Sequence, residues 1–182
     1  MLEETKQLML FLKERWQSQE GKALLEKVLA ALRLKQPWTS FLSTLPAVED
    51  VLNGRDLRGA PLSELELNQL DFRETSLEFV DFRGASLEYA DFRGAQLNHA
   101  DLSNANLFRA NFESCLMVRA NLAGANLSSA HLAGAALTGG NLLGANFSQA
   151  DLTNAVLFGA ETEGAVFDDA ILINTRFGKF SG

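Results

Sequence analysis

The sequence has 182 residues, enough for one domain with a small appendage, and carries a formal net charge of -7. That charge disfavours nucleic acid and anionic lipid as direct partners. The one cysteine, Cys115, excludes an intramolecular disulfide and fits a reducing compartment.

The chain starts Met1-Leu2-Glu3-Glu4-Thr5-Lys6, which is acidic, and the apolar run from Leu8 to Leu12 is short. A secretory signal needs a basic start and a longer apolar core, and a membrane span needs about 18 apolar residues. Neither is present in the sequence, so no membrane association is expected and the expected compartment is the cytoplasm. Over residues 1–49, Leu2, Thr5, Met9, Leu12 and Trp16 recur at helical spacing, with Leu8 and Phe11 beside them. Leu24, Leu25, Val28, Leu29, Ala31 and Leu32 do the same. The pattern predicts two amphipathic helices broken within 18–21 and stopped by Pro37, with a short helix after Pro46.

From Leu52 onward, every fifth residue is apolar. The row runs Leu52, Leu57, Leu62, Leu67, Phe72 and on to Phe177 without insertion, 26 positions of which only Thr162 is not apolar. Two residues earlier lies a row of Ala, from Ala85 to Ala170, broken only by Cys115 and Gly140. Between the rows the residue is usually polar, as in Asp71, Asp81, Asp91, Asn111, Asn121 and Asn141. The unit is Ala-(Asp/Asn)-(Leu/Phe)-X-X, and Gly recurs in its last slot, as at Gly59, Gly84 and Gly144.

A helix advances about 100° per residue, so a period of five smears the Leu row around it. In a strand, an odd period sends successive Leu to opposite faces. The chain must therefore turn once per unit, so that each Leu points to a common axis. Glycine in the last slot suits such a turn.

This motif resembles the pentapeptide-repeat family over about residues 50–180. The resemblance implies a mainly β fold, a right-handed quadrilateral β-helix with four units per coil and about 6.5 coils. The Leu/Phe and small slots point inward and the other three outward. At about 4.8 Å per coil the rod is about 31 Å long. The organisation expected is an α-helical N-terminal domain over 1–49 and a pentapeptide-repeat solenoid over 50–182. The helices are expected to cap the open end of the coils, with a partner-binding module as the alternative. Leu65, Leu70, Thr75 and Val80 replace Ala in the first coils, which predicts a wider or distorted core there. Phe177 and Phe180, near the C-terminal end, suggest a homodimer formed end to end.

With four units per coil, three sides of the rod are acidic. The fourth carries Asp56 and Glu78 against Arg55, Arg58, Arg119, Arg176 and Lys179. The same side puts Phe79, Leu116, Val118, Val156 and Phe158 in outward slots, which marks a candidate protein-contact surface. The alternative is that the helices or a dimer mate cover them.

The function expected is a non-enzymatic protein-interaction scaffold with a protein partner and no cofactor. The runner-up comes from the resemblance, since some pentapeptide proteins linked to quinolone resistance act as acidic mimics of DNA on DNA gyrase. Duplex DNA of about 31 Å carries about 18 negative charges, far more than this rod. Its acids also alternate with arginine, as in Asp71-Phe72-Arg73 and Asp81-Phe82-Arg83. Catalytic and metal-binding residues are expected to be none. Ser128, Ser129 and His131 are near in sequence, but catalysis also needs a pocket. Cys115 reads as a core residue, with no His or second Cys in its unit.

Overall fold

The computed structural model describes residues 2–34 and 56–178. The expectations that rest on Pro37, on a helix after Pro46, on a boundary at 49/50 and on Phe180 lie outside these residues.

Two helices come first, α1 (Leu2–Gln17) and α2 (Gln19–Arg33). The break between them is sharper than the sequence suggested, a single residue, Ser18. Its hydroxyl oxygen accepts the Gly21 N–H at 2.9 Å, which satisfies a free donor at the start of α2. Gly21 is needed for a close approach, since a Cβ there would collide with the Arg15 carbonyl. Leu12 and Trp16 of α1 and Leu24, Val28, Leu29 and Ala31 of α2 are buried, while Leu8 and Phe11 are exposed.

Residues 56–178 form a β-helix. Each repeat pairs in parallel with the residue twenty positions on, as in Asp56 with Ser76, Asp81 with Asp101 and Asp151 with Ile171. Twenty residues are four pentapeptides. Only β1 (Val156–Phe158) and β2 (Arg176–Gly178), a parallel pair, extend beyond single bridges.

The repeat is explained by following its backbone donors. In the first described unit, Leu57 N–H donates to the Ser76 carbonyl and Gly59 N–H to that of Glu78, both at 2.9 Å. Ala60 N–H closes the turn on Leu57 at 3.0 Å, and in the next coil Asp81 N–H returns to Ala60. One donor is left, the N–H of the residue after Leu. It goes to the Asp or Asn side chain two residues back, as Arg58 N–H does to Asp56 Oδ1 at 3.0 Å. The same bond recurs at Glu113 to Asn111, Leu143 to Asn141 and Thr153 to Asp151. Because a buried or half-buried amide without a partner is costly, an Asp or Asn in the polar slot serves the backbone of its own unit. Asn side chains also link coils, with Asn126 Nδ2 donating to Asn106 Oδ1 at 3.1 Å.

Every residue in the last slot, from Gly59 to Asn174, has positive φ. Many are not glycine, and Phe79, Tyr89 and Arg109 hold φ of 60°, 57° and 54°. The left-handed conformation costs a residue with a Cβ about 1 kcal/mol, so the inter-coil bonds on either side must hold it.

The axis is filled by the Leu/Phe row and the Ala row, nearly all buried. Phe72, Phe92 and Phe112 stack down one side, with centroids 5.1 and 4.8 Å apart. Leu70, Thr75 and Val80 are buried in place of Ala, and the pairing runs through them without a break in register. The distortion expected there is absent from the pairing. At the N-terminal end, the buried faces of α1 and α2 join the same core as Leu57, Ala60 and Leu62. At the other end, the core residues Leu172 and Phe177 are 40% and 45% exposed, and Val166, Ile171 and Ile173 are exposed beside them.

Candidate contact face and groove

A buried cluster joins α1 to the first described coil. Arg15 Nη1 and Nη2 donate to the two Asp56 carboxylate oxygens at 3.0 and 3.2 Å, and Nη2 also reaches the Arg58 carbonyl at 2.7 Å. Trp16 Nε1 donates to that same carbonyl at 2.8 Å. Arg58 closes on Asp56 from the other side. Burial by itself would raise the Asp56 pKa, but the bonds from Arg58 and Arg15 outweigh it and hold the carboxyl at about 2. Glu78, one coil further, is pushed up by burial, and its Oε2 is buried without a hydrogen-bond partner.

The side that begins at Asp56 carries all five residues singled out as a contact surface. Its polar slot abandons the Asp/Asn pattern, reading Ser76, Gln96, Leu116, Ala136 and Val156 in successive coils, each bridged to the next. Leu116 is 46% exposed. Its unit keeps the amide satisfied by another route, with Val118 N–H donating to Asn98 Oδ1 of the preceding coil at 3.0 Å. Val118, Val156 and Phe158 are half-buried. The Arg176 guanidinium lies over the Phe158 ring at 4.9 Å.

Phe79 differs from the other four. It stacks on His99 in the next coil, with centroids 5.1 Å apart and ring planes 4° apart. Both line a groove of 690 Å³ between the coils and α1, with Thr5, Lys6 and Met9 on the helix side and Arg119 at the far end. Burial, and secondarily Arg119, hold the His99 pKa below its ordinary value. The five residues thus divide into an N-terminal part under α1 and a part from Leu116 to Phe158. Sequence reasoning missed the groove because α1 and the coil face are joined only by tertiary packing. It also placed the polar slot outward without giving it a structural role, although its regular Asp/Asn choice was the visible signal of one.

Ser128 Oγ donates to Asn126 Oδ1 at 2.7 Å and Ser129 Oγ to Gln149 Oε1 at 3.3 Å, so both hydroxyls bond to side chains other than His131. Cys115 is buried, with Sγ donating to the Phe92 carbonyl, and burial pushes its thiol up to about 12. Among the described residues, no group of three His, Cys, Asp or Glu is placed to hold a metal, and no helix is long and apolar enough to cross a membrane.

Residues 90–167 match the family model described as a pentapeptide repeat region. That stretch of the chain is a pentapeptide repeat region. Among solved structures, it is similar to QnrB1, described as a plasmid-mediated fluoroquinolone resistance protein. The two are 25% identical over 58% of this chain and 59% of that one, with a TM-score of 0.43. The chain therefore spans 59% of that protein's length. It is also similar to Rfr23, a pentapeptide repeat protein from the cyanobacterium Cyanothece 51142. There the identity is 24%, over 84% of this chain and 99% of that one, with a TM-score of 0.35. A pentapeptide repeat protein from the Arabidopsis thaliana thylakoid lumen is 28% identical over 57% of this chain and 66% of its own, with a TM-score of 0.28. A comparison with curated proteins found no match.

Proposed function

We propose that this protein is a non-enzymatic scaffold of the cytoplasm that docks a protein partner on the side carrying Leu116, Val118, Val156 and Phe158. The observation that carries the reading is the loss of the Asp/Asn slot in five successive coils of that side, Ser76 to Val156, where the other sides lose it only in part, as at Ser86, His131, Val166 and Ile171. A slot that elsewhere serves the backbone is here given to exposed apolar surface, which is costly in water and suits a contact. Phe79 lies on the same side but lines the groove under α1.

The scaffold would be a right-handed quadrilateral rod of about 6.5 coils over 50–182, behind an α-helical domain over 1–49. Pairing at a spacing of four units supports the four-sided outline. A homodimer through the C-terminal end fits the exposed Leu172, Ile173 and Phe177. Light scattering of a concentrated sample tests this, and a monomer there rules it out.

The test of the docking surface is affinity capture, comparing the wild type with Leu116→Asp and with Leu143→Asp on a neighbouring side. A partner lost only with Leu116→Asp supports the surface, and one retained by both variants places docking elsewhere.

Mimicry of DNA on gyrase is the second reading. Arg73, Arg83 and Arg93 each close on the Asp two residues earlier at 2.9, 2.7 and 2.7 Å. Those pairs remove charge that a mimic needs, which is why the scaffold is preferred. A gyrase supercoiling assay with and without a quinolone decides between the two. Inhibition, or protection from cleavage, at micromolar protein favours mimicry.

A further inference from the structure

We propose that the groove between α1 and the Phe79–His99–Arg119 column binds a small amphipathic anion, with a planar apolar body and a carboxylate or sulfonate head. The inference goes beyond the docking reading and does not depend on it.

The argument starts from charge. The groove and the 240 Å³ recess continuous with it at Met9, Phe79 and His99 are lined by Lys6, Lys13, Arg83 and Arg119 against Asp81 and Asp101. Asp81 is closed on Arg83 at 2.7 Å. Asp101 accepts bonds from Ser103 N–H, Ser103 Oγ and Asn121 Nδ2, so it serves the coil. Lys13 acts on Asp81 as well, so Lys6 and Arg119 remain, and neither is in a salt bridge among the described residues. A chain of net charge -7 thus concentrates positive charge in one place.

The walls supply the second half. Phe79 and His99 stack nearly parallel and Met9 lines the same groove, so the walls supply aromatic surface and a polarizable thioether to a planar body. The volume lies within the range of small-molecule sites, and a few polar groups in an apolar lining are their usual composition. His99, with its lowered pKa, is neutral at neutral pH, so it offers a ring face without repelling the neighbouring cations. The head would meet Arg119 and Lys6 at the rim.

The test uses two fluorescent probes with one ring system, 8-anilino-1-naphthalenesulfonate and the uncharged N-phenyl-1-naphthylamine, titrated into the full chain at pH 7.5. The sulfonate is expected to saturate at one per chain, at least about ten-fold tighter than the amine, and to weaken as salt is raised. Arg119→Glu is expected to weaken it about ten-fold and Arg119→Gln less, both with unchanged circular dichroism. Leu116→Asp, on the docking surface, and Phe177→Asp, at the exposed end of the coils, should leave it unchanged. Equal affinity for the two probes, no saturable binding, or loss of binding in Phe177→Asp with retention in Arg119→Glu would each overturn the proposal.

Discussion

The Arg15 guanidinium in α1 grips both carboxylate oxygens of Asp56 in the first described coil, at 3.0 and 3.2 Å. Asp56 is fully buried and the Arg15 side chain is 5% exposed, so each charge depends on the other for compensation. Asp56→Asn keeps the shape but leaves Arg15 buried without its counter-charge, which should cost about 3 kcal/mol. Chemical denaturation should show the lowered midpoint, and limited proteolysis should cut α1 and α2 before the coils.

Acid should reveal the same carboxylate. Its folded pKa of about 2 lies below the ordinary 3.8. Asp56 therefore contributes its full stability above about pH 3.8, and loses it as the pH falls towards 2. Thermal midpoints followed from pH 5 to pH 2 should fall more steeply in the wild type than in Asp56→Asn.

Glu78 has the opposite sign. Burial raises its pKa and Oε2 has no hydrogen-bond partner, so its ionised form opposes folding above the ordinary carboxylate range, and protonation relieves it. Glu78→Gln should raise the melting temperature at pH 7, with the gain shrinking by pH 4. Calorimetry at the two pH values measures the difference, and a loss at pH 7 would contradict the argument.

Gly59 and Gly144 share a slot and a positive φ, 69° and 63°, but not their surroundings. A Cβ at Gly144 meets nothing within 4 Å, whereas one at Gly59 would stand 2.9 Å from the Leu12 Cβ and backbone carbon. Gly144→Ala should cost only the backbone strain, about 1 kcal/mol. Gly59→Ala should cost more and loosen α1, seen as faster amide exchange in that helix.

The polar slot can be tested away from any proposed site. Asn126 accepts from Ser128 N–H and Oγ and donates to Asn106. Asn126→Ala should destabilise by about 1–2 kcal/mol by leaving the Ser128 amide without its partner. Ala136 already lacks a polar side chain, so Ala136→Gly should not produce a comparable loss of side-chain hydrogen bonding. Paired denaturation curves make the comparison.

The five-residue period by itself determined that the chain coils, which slots face the axis, and where the turn falls. A repeating local rule leaves one way to bury an unbroken apolar row. The two helices were legible from 3.6-residue periodicity, whereas the side shared by Phe79, Leu116, Val118, Val156 and Phe158 followed only once the resemblance implied four units per coil. Only the tertiary structure decided what lies against what across larger separations. Arg15 meets Asp56 41 residues away, Met9 lines a groove with Phe79 and Arg119, and Asn98 takes over the amide that Leu116 cannot serve. These contacts depend on how a helix is seated on a coil and on which neighbour answers each unpaired donor. No periodicity encodes either, so Phe79 and Leu116, both outward residues of one side in the sequence pattern, ended in different places, one under α1 and one exposed.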